Sequence, residues 1–148
     1  MSGELLVIDA SVAMKWMVPE PDTAEAILVQ RRFALVAPDL LMAECANVLW
    51  KKVGRGEISG EEASIAARVL EQADIELVSM RGLLDASVGL AVELAHPAYD
   101  CAYIALAVLR RCRLVTADHR LIDAVGRSGR AELRDRIMSL TAAAGGRG

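Results

Sequence analysis

The chain of 148 residues is long enough for one domain with a proper core, and 54% hydrophobic but only 3% aromatic residues make that core aliphatic. A formal net charge of −3 argues against bulk attraction to nucleic acid, so any contact with a phosphate backbone must be local. No apolar run approaches the ~18 residues of a membrane span, no secretory signal is expected from the opening residues, and three cysteines without a C-x-x-C pair point to a reduced, cytoplasmic compartment.

The first element is Leu5-Leu6-Val7-Ile8, an apolar run of the kind that forms a parallel strand covered on both faces. It ends in Asp9 and Ser11 and passes into a short helix, Ala10 to Met17, closed by Pro19 and Pro21. Asp22 and Thr23 are placed to cap a second helix, through Arg32. Leu35-Val36-Ala37 is a second strand, ended by Pro38, and Asp39 opens a third helix that stops at Gly54 and Gly56. Ser59-Gly60-Glu61-Glu62 has the form of a capping box and starts a fourth helix, to Ala73. Ile75 to Val78 is a third strand and Leu83 to Leu94 a fifth helix. Pro97 stands at the first position of a sixth helix, Ala98 to Arg111. Leu114-Val115-Thr116 is a fourth strand, a short helix follows from Arg120, and Ile137 to Leu140 reads as a last edge strand. Residues 142–148 have little to bury and are expected to be a mobile tail, leaving a domain of residues 1–141. Alternating strands and helices predict one α/β domain, a parallel sheet with helices on both faces.

Four acidic residues interrupt apolar contexts or stand at element ends: Asp9, Glu44, Asp100 and Asp118. In an open α/β sheet the ligand crevice lies beyond the carboxyl ends of the strands, where Asp9 and Asp118 sit. Each has a structural alternative. Asp9 and Asp118 serve equally as helix N-caps, Asp100 as a complement to a helix dipole, and Glu44 as a solvent-facing residue beside Asn47 and Lys51. Thr116 and Asp118 point the same way from an extended strand, so both can line one wall. Carboxylates sharing a dry pocket raise one another's pKa values, and a hard divalent cation relieves that conflict. His96 and His119 lack a third partner at zinc-ligand spacing. The cations gather at Lys51, Lys52 and Arg55, at Arg110, Arg111 and Arg113, and at Arg127, Arg130, Arg134 and Arg136. Taken singly, each cluster reads as a solvated helix end.

Four stretches together resemble the PIN-domain ribonucleases, most closely the toxin component of VapBC toxin–antitoxin pairs. They are Val7-Ile8-Asp9-Ala10-Ser11-Val12, Pro38 to Leu49 around Glu44, Tyr99 to Ala107 with Asp100 at its second position, and Leu114-Val115-Thr116-Ala117-Asp118-His119-Arg120-Leu121. The resemblance implies that Asp9, Glu44, Asp100 and Asp118 form a catalytic, metal-binding cluster. Ser11 and Thr116 would orient ligands or water beside it, and Lys15 and Arg120 would hold substrate at its rim. It implies hydrolysis of RNA by a water activated by Mg²⁺ or Mn²⁺, a VapB-type antitoxin as partner, and a homodimer. Two rivals stay open: a non-catalytic binding module that keeps the fold as a scaffold, and a PIN nuclease of RNA processing outside any toxin–antitoxin pair. A dehalogenase-like phosphatase is disfavoured because it wants a second aspartate where Ser11 stands.

Overall fold

In the computed structural model, which describes residues 3–145, the first apolar run forms β1 (Leu5–Ile8). Leu6, Val7 and Ile8 are all fully buried, although successive strand residues point to opposite faces. The sheet is therefore covered on both sides at its centre. β2 (Ala34–Pro38), β3 (Glu76–Val78), β4 (Arg113–Thr116) and β5 (Ile137–Ser139) complete a five-stranded, all-parallel sheet of order β3-β2-β1-β4-β5. Val7 lies opposite Val36 on one side and Leu114 on the other.

The helices are α1 (Ala10–Met17), α2 (Thr23–Arg32), α3 (Leu40–Gly54), α4 (Gly60–Glu71), α5 (Leu84–Leu94), α6 (Ala98–Arg110), α7 (His119–Arg127), α8 (Ala131–Arg134) and α9 (Leu140–Gly145). α6 is buried all round from Cys101 to Ala107 and packs across β1, β2 and β4, as a helix apolar on every side must. The chain steps outward from β1 through β2 to β3, then returns to lay β4 on the other side of β1. That reversal opens a crevice at the carboxyl ends of β1 and β4, the place where open α/β sheets bind ligands.

Most expected elements form within a residue or two of their expected bounds, and the Ser59–Glu62 capping box closes reciprocally. The differences have local causes. Asp22 makes no side-chain cap; its neighbour Thr23 instead accepts from the Glu20 N–H and donates to the Lys15 carbonyl. Asp39 does not cap α3 with its side chain either, but accepts from the Met80 N–H at 3.2 Å, tying the end of β2 to the turn after β3. The single helical turn α8 and a 3-10 turn at Met80–Gly82 are too short to carry a periodic signal. The tail expected from Ala142 is instead ordered helix as far as Gly145. Ala143 and Ala144 are buried where α9 packs against α2, and the Arg32 guanidinium donates to the Ala144 carbonyl at 3.1 Å. Residues 146–148 of that expected tail lie outside the described residues.

Leu106 is fully enclosed at the middle of α6. Leu106→Ala is expected to cost about 2–5 kcal/mol in urea denaturation; a loss below about 1 kcal/mol would mean that α6 does not anchor the domain.

Candidate active site

Asp9 leaves the end of β1 as the N-cap of α1, with its Oδ1 accepting from the Val12 N–H. Ser11 Oγ donates to the same oxygen at 2.6 Å, and Thr116 Oγ1, from the end of β4, donates to Oδ2 at 2.5 Å. Each hydroxyl accepts in turn from the β4 exit, Ser11 from the Ala117 N–H and Thr116 from the Asp118 N–H. Both hydroxyl protons are thus spent on Asp9, and the 3.3 Å separation of Ser11 and Thr116 is a contact rather than a further bond. Burial pushes the Asp9 carboxyl up to about 6, against the lowering pull of Ser11, Thr116 and the Val12 N–H, and the charge of Asp100 adds to the rise.

Glu44 reaches the crevice from α3, on the turn before fully buried Cys45. It is half-buried, not solvent-facing, and its Oε1 accepts a short hydrogen bond from the Tyr103 hydroxyl of α6. Burial raises its carboxyl above the ordinary glutamate value, Tyr103 pulls it back, and Asp100 raises it further. The Tyr103 hydroxyl is itself driven upward by burial and by Glu44, so it remains a donor at any physiological pH. Asp100, on the first turn of α6, shares a 2.7 Å hydrogen bond between its Oδ2 and His96 Nε2. Asp118 caps α7, its Oδ1 accepting from the Arg120 N–H at 3.0 Å. Asp9 and Asp118 thus both cap helices and both face the cavity at the strand ends, so capping does not compete with a place at the site.

All four carboxylates line one cavity of about 420 Å³, with Ser11, Lys15, Glu20, Lys51, Lys52, Arg55 and Tyr103 among its other walls. Thr116 supports it from behind, fully buried. Lys15 is on this wall but is not a free rim cation: its ammonium is buried and paired with Glu20 at 2.8 Å and Asp22 at 3.7 Å. Glu20 also faces Lys52 at 3.8 Å. Arg120 is almost wholly exposed, with only the Asp118 carboxylate near it, at 4.0 Å. Sequence reasoning missed Tyr103, His96 and Glu20. A signal existed for Tyr103, which is three residues after Asp100 and so shares a face of α6; His96 lies in the turn before α6, where helical spacing says nothing of its direction.

The donor set suits a hard divalent cation. Only oxygen donors of side chains face the cavity among its acidic walls, while Cys45 is a buried thiol pushed up to about 12 and His96 is engaged with Asp100. No three His, Cys, Asp or Glu side chains among the described residues are close enough together to form a closed cage. Mg²⁺ needs none, since it binds through one or two carboxylates and keeps several waters. Without a cation the buried Asp9 charge costs stability. A carboxyl raised from 3.8 to about 6 stabilises the fold fully only below its free value, and that contribution of about 3 kcal/mol is lost as pH rises through 6. In chelator, therefore, the melting temperature of Asp9→Asn should gain on the wild type between about pH 4 and about pH 7. A difference that stays constant over that range would show that Asp9 is not held in this desolvated state.

Comparison with known proteins fits this geometry. The family model of the PIN domain matches residues 6–127. Ribonuclease VapC3 of Pyrobaculum aerophilum is 33% identical over 121 residues, covering 80% of this chain and 92% of that protein. VapC ribonuclease Mb0985 of Mycobacterium bovis is 29% identical over 119 residues, covering 80% and 90%. Among solved structures, PAE2754 of Pyrobaculum aerophilum superposes with a TM-score of 0.65 at 21% identity, covering 97% of this chain and 96% of that one. A chain of VapBC2 from Rickettsia felis, solved bound to a DNA fragment from its promoter, gives 0.61 at 11% identity, with 91% and 98% covered. With its strand order, its acidic crevice and a family match over most of its length, the chain belongs to the PIN domain family.

Proposed function

We propose that this chain is a metal-dependent endoribonuclease, the toxin component of a type II toxin–antitoxin pair, acting in the cytoplasm. The observation that carries the reading is the convergence of Asp9, Glu44, Asp100 and Asp118 on one cavity at the crevice of the sheet. The curated relatives, matched over nine-tenths of their length, are named as ribonucleases. The four carboxylates would hold Mg²⁺ or Mn²⁺, which when bound supplies Lewis acidity toward a phosphodiester and acidifies a water enough to attack it. The reaction adds water across one P–O ester bond: the phosphate keeps the new oxygen, and the departing oxygen takes up a proton to leave as a hydroxyl. Ser11 and Thr116 fix the Asp9 carboxylate, and Tyr103 fixes Glu44, so that both oxygens keep their orientation before substrate arrives. Lys51 and Arg55 bring positive charge to the same wall, while Lys15 and Lys52 there are paired with Glu20.

As partners we propose a VapB-type antitoxin and a second copy of this chain. Beside the acidic cavity lies a more apolar one of about 400 Å³, lined by Leu40, Val48 and Tyr99 and sharing Glu44, a suitable seat for a peptide that blocks the site. On α5, Leu84, Val88 and Val92 form an exposed apolar stripe at helical spacing, which supports a protein partner on that face.

Wild type and Asp100→Asn should be compared on a labelled total-RNA pool with Mg²⁺, Mn²⁺ or chelator. Discrete products that require metal and fall by at least ~100-fold in the variant are expected. Undiminished cleavage by Asp100→Asn would remove the assignment of the site. In parallel, Mn²⁺ at 100 times its dissociation constant should stabilise the wild type by about 2.7 kcal/mol in thermal melts. A folded protein with neither cleavage nor a Mn²⁺ shift would be the scaffold.

A further inference from the structure

A second cavity, of about 300 Å³, opens on the other side of Asp100 and is lined by His96, Pro97, Asp100, Arg120, Asp123 and Arg127. Asp100 is therefore the wall between this cavity and the catalytic one. Its position is fixed from the second side. Ala95 ends α5 in the left-handed conformation (φ 52°), a strained choice for a non-glycine residue, and Pro97 then leads into α6. The turn aims the His96 ring forward along α6 to bond Asp100 Oδ2. Arg120 and Arg127 stand two turns apart on one face of α7 and point their charges to this cavity.

What marks these two arginines is that they line one cavity together with little to neutralise them, whereas several cations elsewhere are bound to carboxylates. Arg130 is bound by Glu93 and Glu132, Arg110 by Glu76, Arg113 by Glu4, and Lys15 and Lys52 by Glu20. Among the described residues Arg127 has no carboxylate within 4.0 Å, and Arg120 has only Asp118 at that limit. Asp123 lines the cavity on the same helix face, yet forms an ion pair with neither arginine. Two unspent guanidiniums in a polar concavity are an anion site, and guanidinium matches phosphate geometry through paired donors.

We infer that this cavity is a phosphate subsite, in which Arg120 and Arg127 hold a backbone phosphate of the RNA strand next to the one in the acidic cavity. The inference rests on the nuclease reading and extends it: a strand with one phosphate among the four carboxylates passes Asp100 and places a neighbour between the arginines. Such contacts position a strand without reading its sequence.

The test uses the full chain carrying Asp9→Asn to suppress cleavage, in Mg²⁺, with a fluorescein-labelled single-stranded RNA read by anisotropy over a salt series. Adding Arg120→Gln and Arg127→Gln should weaken binding roughly tenfold at low salt. It should also flatten the slope of log Kd against log salt by about 1.4, the loss of two single-strand phosphate contacts. An abasic strand of the same length should lose as much, because phosphate and not base is held. In the cleavage-competent chain the same double variant should raise KM and leave kcat nearly unchanged. Arg31→Gln with Arg134→Gln, two exposed arginines that line neither cavity, is the matched control and should leave the slope in place. An unchanged slope in the Arg120/Arg127 variant of a chain that cleaves RNA overturns the subsite and spares the nuclease reading. So does an equal loss in the control, which would be bulk charge, or a loss of affinity for an oligoglutamate peptide in place of RNA, which would make the cavity a protein seat. A wild type that neither binds nor cleaves RNA overturns both.

Discussion

The carboxylate of Asp9 is the constraint on which the rest of the site depends. It is a charge placed at the centre of a sheet whose flanking residues are fully buried, and it survives there because two hydroxyls and a backbone N–H converge on it. Those hydroxyls come from different places in the chain: Ser11 follows β1 and Thr116 ends β4. Each also accepts an N–H from the β4 exit. The hydroxyls that solvate Asp9 therefore also lock the two strand ends that form the crevice. Removing Asp9 would strip the partners from both hydroxyls and loosen the switch point itself, so the site is part of the fold's structure and not an addition to it.

From this centre the other acids are positioned by helices whose burial leaves them little freedom. α6 is enclosed from Cys101 to Ala107, and only its first turn, with Asp100, reaches the crevice. α3 buries Leu41, Cys45 and Leu49, which sets Glu44 on the edge of that buried face, within reach of Tyr103. Each acid has a different anchor: Ser11 and Thr116 for Asp9, Tyr103 for Glu44, His96 for Asp100, and the α7 N-terminus for Asp118. Burial first, and the charge of Asp100 second, raises the carboxyls of Asp9 and Glu44, and independent supports hold them in place against that cost. A pocket of this kind is destabilising when vacant of positive charge and favours whatever cation or cationic group enters it.

The centre of the sheet was legible in the sequence because β1, β2 and β4 are short apolar runs closed by Asp9, by Pro38 and, two residues on, by Asp118. The four acids were legible for the related reason that a charge in an apolar run has to be explained. What escaped was of three kinds. Two side chains that act through another residue were missed: Tyr103 is at helical spacing from Asp100, but spacing does not say which neighbour a buried hydroxyl has found, and His96 stands in the turn before α6, whose course the sequence does not give. The caps at Asp22 and Asp39 were read from residue type, whereas tertiary partners, Lys15 and the Met80 N–H, had claimed their carboxylates. The alanines of α9 show no periodicity, since each buries little area, and it is the surfaces of α2, β5 and β4 that make them core.

Charge gives the clearest case of what sequence composition hides. A net charge of −3 and several basic clusters describe a chain of ordinary balance, yet pairing removes some of those cations and leaves others. Glu20, Glu76, Glu93 and Glu132 absorb Lys15, Arg110 and Arg130, so residues that look like a cationic surface in the sequence are locally neutral. Arg120 and Arg127 stay unspent because α7 turns them toward a cavity instead of toward a glutamate. Their field is short-ranged, falling off within about 10 Å at moderate salt, which is roughly the scale of the neighbouring acidic pocket. Opposite charges placed side by side on that scale favour a ligand that is itself anionic but arrives with a divalent cation. A phosphodiester strand answers both demands, and a simple anion or a simple cation answers only one.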